Sequence, residues 1–225
     1  MKIKLIGHGA EAKIYLLESE EKENEKYIFK IDDITVEYRT NLLILKHRYS
    51  KKYRNEIIDK KFIKYRTRTE CKILNKLSEK IPVPKVIFCD EDKGYILMEY
   101  IDGIRLSEIL ENLDYKKILK MIGEYTGIIH KEGIVHGDLT TSNIIYKENN
   151  LYFIDFGLSY FSRRIEDYAT DLHLFKESLE ARHWKLEDAF KYFLEGYRET
   201  FSEKFDIIYK RLRVLELRGR YKSVT

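Results

Sequence analysis

At 225 residues, with 44% hydrophobic and 36% charged residues, the chain can build one ordinary domain or two small lobes, and its recurring apolar pattern excludes wholesale disorder. No run of about eighteen apolar residues is present to span a bilayer, and no apolar secretory segment opens the chain, so a cytoplasmic protein with no membrane partner is expected. A net charge of +4 makes no case for a nucleic-acid partner, which has to rest on local clusters instead. The absence of Gln and the wealth of Lys, Glu, Ile and Tyr suit a hyperthermophile, where charge networks are favoured and labile amides avoided. Cys71 and Cys89 fit no metal-ligand spacing and are expected to be packed thiols without a function of their own.

In chain order, Ile3 to Ile6 alternates as a strand does, runs into Gly7-His8-Gly9-Ala10-Glu11-Ala12, and extended character resumes at Ile14 to Leu17. Strand, glycine loop, strand is the arrangement that lets backbone amides approach phosphate. The match to G-x-G-x-x-G is partial, because Ala12 replaces the third glycine and Glu11 puts an acid nearby; a plain hairpin turn is the alternative. Glu18 to Lys26 reads as a solvated loop, followed by short strands around Tyr27 to Ile31 and Leu42 to Leu45. Two lysines compete as phosphate anchor. Distance from the glycine loop favours Lys30, whereas distance from the best helix carboxylate, Glu70, favours Lys46.

Apolar residues from Ile57 to Leu77 fit one or two helices with a basic exposed side, ended by Pro82 and Pro84. Strands follow at Val86 to Phe88 and Tyr95 to Tyr100. The second leads into Met98-Glu99-Tyr100-Ile101-Asp102-Gly103, which resembles a kinase hinge, where the Glu99 carbonyl and the Ile101 amide would pair with the edge of adenine. Helical patterns occupy Leu106 to Leu113, Tyr115 to Lys131, Glu166 to Ala181, Leu186 to Thr200 and Glu203 to Leu217.

Between these helices lies the most informative stretch, His136-Gly137-Asp138-Leu139-Thr140-Thr141-Ser142-Asn143, followed by Ile154-Asp155-Phe156-Gly157 after an apolar strand from Leu151. Phosphoryl transfer needs one carboxylate beside the attacking oxygen, and an amide with a second carboxylate to hold magnesium. Asp138, Asn143 and Asp155 stand in that order at D-x-x-x-x-N and D-F-G spacing. Each motif alone is an ordinary turn; together, with a strand between, they read as a phosphoryl-transfer centre. No A-P-E follows, so the usual peptide-substrate platform is expected to be absent.

The resemblance then becomes specific. Gly9-Ala10-Glu11-Ala12, Lys46-x-Arg48-x-x-Lys51-x-Tyr53-Arg54, Ile58-Asp59, Arg66-Thr67-Arg68-Thr69-Glu70, the Met98 to Gly103 segment, the His136-Gly137-Asp138 loop, Asp167-x-Ala169-x-Asp171-Leu172 and Arg218-Gly219-Arg220 together resemble the small atypical kinase of the KEOPS/EKC complex, the PRPK family, over nearly the whole chain. The resemblance implies an α/β, bilobal protein-kinase-like fold with a reduced C-terminal lobe. Residues 1–101 would form the N-terminal lobe, 102–217 the helical lobe, and 218–225 a basic tail. It implies ATP and Mg²⁺ as cofactors and Lys46, paired with Glu70, as the phosphate anchor. Asp138 would be catalytic, Asn143 and Asp155 would hold the metal, and Asp171 would support the catalytic loop.

Gly137 replaces the Arg that reads a phosphorylated activation segment, and Thr140 replaces a Lys that commonly contacts the transferred phosphate. These departures fit what the resemblance implies, the activity of an atypical serine/threonine kinase or ATPase serving threonylcarbamoyladenosine formation on tRNA. Its partners would be the threonylcarbamoyl-transferase subunit, separate or fused, and other KEOPS subunits. Contact with tRNA would come from two basic regions: Lys51, Lys52, Arg54, Lys60, Lys61, Lys64, Arg66 and Arg68 interleaved with Tyr49, Tyr53 and Tyr65, and the terminal Lys210, Arg211, Arg213, Arg218, Arg220 and Lys222. Solvated helix faces are the alternative for both. A nucleotide-responsive scaffold of the transferase and a small-molecule phosphotransferase are the competing functions. The RIO kinases are a further relative, from which the intact D-F-G and the Arg-Gly-Arg tail set the chain apart.

Overall fold

A computed structural model describes the chain except for Ala10, Lys52, residues 221–225 and the side chains of residues 218–220. The chain divides into two units: Met1–Asn75 with Pro84–Ile101, and Lys76–Val83 with Asp102–Thr225.

The first unit is built on an antiparallel five-stranded sheet. Its strands are β1 (Lys2–His8), β2 (Lys13–Glu18), β6 (Leu42–His47), β8 (Tyr95–Glu99) and β7 (Val86–Asp90), in the spatial order β1-β2-β6-β8-β7. A second sheet of three strands, β3 (Lys22–Glu23), β4 (Lys26–Ile31) and β5 (Ile34–Tyr38), is inserted between β2 and β6. The stretch read as a solvated loop thus contains a strand, and Tyr27 to Ile31 belongs to a separate small sheet. Alternation along the strands decides what each face covers. Leu17, Leu43, Leu45 and Leu97 point to Phe29 and Ile31 of the small sheet. Ile44, Ile96 and Met98 point the other way, toward Cys71 on the single long helix α1 (Glu56–Leu77). Asn55 caps α1, its Oδ1 accepting from the amides of Ile57 at 3.1 Å and Ile58 at 3.3 Å, and Glu56 and Asp59 place acid against the positive helix end.

Cys71 of α1 is disulfide-bonded to Cys89 of β7. The expectation of two packed thiols is therefore corrected. The bridge exists because α1 crosses the sheet over β7, an approach that eighteen residues of intervening sequence do not announce.

The second unit holds β9 (Ile104–Arg105), α2 (Leu106–Ile109), α3 (Tyr115–Lys131), β10 (Ile134–Val135), β11 (Ile144–Lys147), β12 (Asn150–Phe153), β13 (Tyr160–Phe161), α4 (Ile165–Arg182), α5 (Ala189–Thr200) and α6 (Ser202–Arg220). β12, β11 and β9 form one small sheet, and β10 pairs with β13. The helical run from Leu106 splits into α2 and a 3₁₀ turn at Leu110–Asn112, and α5 starts three residues later than its pattern suggests. The last helix continues to Arg220, so Arg218 to Arg220 are helical in backbone rather than part of a tail; the remainder of the expected tail lies outside the described residues.

Helix α3 buries Ile118, Leu119, Ile122, Thr126, Ile129 and His130 on one face, at helical spacing. It lies against α5 at backbone distance. A Cβ on Gly123 would overlap the Phe193 carbonyl, and one on Gly196 would overlap that of Lys120.

Candidate phosphoryl-transfer site

In the first unit, alternation along β6 sends Lys46 to the α1 side of the sheet. Its Nζ lies 2.8 Å from Glu70 Oε1, and both side chains are buried, Lys46 at 6% and Glu70 at 2% exposure. The second oxygen of Glu70 accepts from Arg48 Nη2, and Arg48 is equally buried. Arg48 Nη1 has no hydrogen-bond partner among the described residues. One carboxylate thus serves two buried cations, Lys46 and Arg48. Lys30, the competing anchor, is exposed and ion-paired with Glu21 at 2.9 Å.

The glycine loop proper is shorter than its motif. Gly7 is inside β1, paired with Ile14, while Gly9 N donates to Ala12 O at 2.9 Å to close the turn; Ala10 lies outside the described residues. Glu11 is turned onto Arg54, at 2.8 Å from Nη2 and 3.2 Å from Nη1. The hydrogen bond from Arg54 holds the Glu11 carboxyl below the usual carboxylate range. Glu99 ends β8, its amide donating to Lys85 O at 2.9 Å and its carboxylate 3.5 Å from Arg39; Ile101 is buried.

In the second unit, the segment His136 to Asn143 leaves β10 through a left-handed Gly137 at φ 79°, where a Cβ would stand 2.6 Å from Leu158 O. Both oxygens of Asp171 grip this turn, accepting from His136 N at 2.7 Å and Gly137 N at 2.9 Å. Asp171 is itself held by His130 Nε2 at 3.2 Å, and His130 Nδ1 meets Tyr197 OH at 2.8 Å. Burial opposes ionisation of Asp171, yet the hydrogen bonds from His130 and the His136 amide together hold its carboxyl below the ordinary value. Burial pushes His136 down, and its ring packs on Phe156 at 4.7 Å.

Asn143 Nδ2 donates to both the carbonyl and Oδ2 of Asp138, each at 2.9 Å. This fixes Asp138 and leaves the amide oxygen as the donor a cation would use. Asp155 adopts the left-handed conformation (φ 60°, ψ 64°), with Oδ1 accepting from Gly157 N at 3.3 Å. The two motifs are strapped together: Ile154 N donates to Asn143 O at 2.9 Å, and Ser159 Oγ to His136 O at 2.7 Å. Hard oxygen donors from one amide and one carboxylate suit Mg²⁺, which keeps waters and phosphate oxygens for the rest of its shell. Among the described residues no group of three or more His, Cys, Asp or Glu gathers into a fuller metal cage.

Arg48 enters the sequence reading only as a motif residue and Arg54 only as a motif residue and a cation of the first basic region; His130, Tyr197 and the Thr141–His183 contact of 3.0 Å carry no local signal. Among the described residues of the first basic region, Lys60 pairs with Glu56 at 2.7 Å, Lys64 with Asp92 at 2.7 Å, and Arg68 with Glu91 at 2.8 Å. Tyr53 and Tyr65 stay exposed. In the terminal region Arg211 pairs with Glu166, and Arg213 with Glu216 at 2.9 Å.

A RIO domain model matches residues 13–164, so the distance from RIO proteins inferred from D-F-G and the tail does not hold at the level of the domain. The chain is 44% identical over 227 aligned positions to the KEOPS complex subunit Bud32 of Pyrococcus abyssi, covering 98% of this chain and 97% of that protein. It is 41% identical over 182 positions to a probable bifunctional tRNA threonylcarbamoyladenosine biosynthesis protein of Methanosphaera stadtmanae, covering 80% of this chain and 33% of the longer protein. Among solved structures, a Rio2 kinase–ADP/Mg²⁺–phosphoaspartate complex from Chaetomium thermophilum superposes with a TM-score of 0.61 at 16% identity, covering 99% of this chain and 71% of that one. That likeness is one of fold.

Proposed function

Because the chain belongs to the Bud32 family of KEOPS subunits, within the RIO-domain proteins, we propose that it is a Mg-ATP-dependent atypical kinase and ATPase that supports threonylcarbamoyladenosine modification of tRNA. The observation that carries this reading is the Asp138–Asn143 pair, set on a loop whose backbone is clamped by Asp171 and strapped to the Asp155 turn. A protein that only needed a scaffold would not require all of these groups in one arrangement.

Bound Mg²⁺ would neutralise charge on the phosphates as transfer proceeds. Asn143 and Asp155 would hold it. Asp138 would orient the attacking hydroxyl or water and accept its proton on a carboxylate oxygen, its own position set by the Asn143 amide. Lys46 would fix phosphate oxygens, with Glu70 restricting its rotamer, while the Gly9–Ala12 turn would cover the phosphates. The Glu99 carbonyl and the Ile101 amide would meet the adenine edge. With glycine at 137 and threonine at 140, the loop offers less cationic help for transfer to a peptide, which favours water, or a serine or threonine of a bound partner, as acceptor. The threonylcarbamoyl-transferring protein, separate or fused, is the expected partner, together with other KEOPS subunits. Exposed Tyr53 and Tyr65 would stack on tRNA, beside cations whose surface ion pairs exchange readily for phosphate.

The test follows the γ-phosphate of labelled ATP with the protein alone and with its transferase partner and tRNA, using folded Asp138→Asn and Asp155→Ala variants as controls. Free phosphate that rises with partner and tRNA and vanishes in both variants supports an ATPase coupled to modification. Label transferred mainly to protein makes the kinase activity primary. Full turnover in either variant removes the catalytic assignment, and no turnover in any combination leaves a nucleotide-responsive scaffold.

A further inference from the structure

The glycine loop carries a carboxylate, Glu11, where phosphate chemistry has no use for one. A free acid on a loop that covers phosphates repels them, so the chain has to dispose of its charge. Arg54, 43 residues away, does so in a two-point fork: Nη2 to Glu11 Oε1 at 2.8 Å and Nη1 to Oε2 at 3.2 Å. The same guanidinium reaches Asp59 Oδ1 at 3.3 Å and lies 5.1 Å above the Phe62 ring. Asp59 is wholly buried in the first turn of α1, where it also accepts from Ser50 Oγ and the Lys51 amide, each at 2.8 Å. Arg54 is thus anchored by a buried acid on one side and offers its fork to the loop on the other. This is more than an isolated surface pair, which contributes little.

We propose that Arg54 is a positioning residue of the nucleotide site: through Glu11 it fixes the Gly9–Ala12 turn and cancels the one negative charge that turn carries. The proposal rests on the reading of that turn as the phosphate-covering loop. It gives α1 two tasks, holding Lys46 through Glu70 and holding the glycine loop through Asp59, Arg54 and Glu11. The Gly-Ala-Glu-Ala, Lys-x-Tyr-Arg and Ile-Asp motifs, separate in sequence, become one device.

The experiment measures KM and kcat for ATP hydrolysis, with ATP affinity by calorimetry, in wild type, Glu11→Gln, Arg54→Met and the double variant. Releasing the Glu11 charge in Arg54→Met is expected to raise KM about tenfold with kcat little changed, the scale of one uncompensated charge beside phosphate. Glu11→Gln should change KM by less than about threefold, and adding it to Arg54→Met should recover most of the loss. A merely structural tie predicts the opposite, a double variant no better than Arg54→Met, and that result overturns the proposal. So does an unchanged KM in Arg54→Met. Should Arg54→Met fail to fold, Arg54→Gln keeps a hydrogen-bond donor for Asp59 but not the charge, and an unchanged KM there overturns the proposal equally. Wild type that does not bind Mg-ATP overturns the reading of the loop itself; wild type that binds ATP while all variants match it overturns only the role of Arg54.

Discussion

Replacing Glu70 by Ala tests whether the buried charge cluster is arranged as described. Glu70 is 2% exposed and serves both Lys46 and Arg48, which are 6% and 3% exposed. Removing it leaves the Arg48 guanidinium buried without its carboxylate, with Nη1 already lacking a partner among the described residues. Deleting one partner of a buried ion pair costs about 3 to 5 kcal/mol; the lower end, about 3 kcal/mol, applies here because Lys46 keeps other interactions. For a chain of this size that corresponds to a fall in Tm of about 6 to 12 °C. Hydrogen exchange along α1, read by mass spectrometry, reports the first unit by itself and avoids assuming that both units melt together. In an Arg48→Met background the same Glu70→Ala change should cost at least about 1 kcal/mol less, since the stranded cation is gone. A Glu70→Ala loss below about 1 kcal/mol, or no coupling to Arg48, would refute the buried cluster.

Three further outcomes are expected. Gly196→Ala places a methyl group against the Lys120 carbonyl at the α3–α5 crossing and should destabilise the second unit by roughly 1 to 3 kcal/mol, read as a urea midpoint; a neutral result means the helices can move apart. Alkylation followed by mass measurement should find Cys71 and Cys89 protected until reductant is added, and reduction should lower stability by about 3 kcal/mol for a loop of this length; labelling of both thiols without reductant contradicts the bridge. His47, His136 and His183 are all pushed down by burial, so the unfolded chain takes up protons first as pH falls through about 6.5. Stability should therefore be full above that pH and decline as pH falls from 7.5 to 5.5, a window in which the lowered carboxylates stay ionised; an equal urea midpoint at both pH values contradicts it.

The candidate phosphoryl-transfer motifs are legible in sequence because they are local. His136 to Asn143 and Ile154 to Gly157 each lie within one turn and one strand end, where spacing fixes which groups can meet. Helices α3 and α4 are legible for the same reason, their apolar residues recurring at helical spacing. Short-range chemistry is less clear where strands are brief. The Lys22–Glu23 strand has two charged residues and no apolar pattern, and is held only by pairing with β4. The choice between Lys30 and Lys46 was open to counting from either end; the structure separates them by burial and by the face of the strand each occupies.

The sequence by itself determined the order of the candidate phosphoryl-transfer groups, the helical second half and the family to which the chain belongs. Tertiary structure alone decided the supports: Arg54 on Glu11 across 43 residues, His130 on Asp171 across 41, Tyr197 on His130 across 67, and Cys71 on Cys89 across 18. The physical reason is that a periodic pattern shows which face of an element is buried but not which distant element covers it, and every one of these pairs is made by that covering.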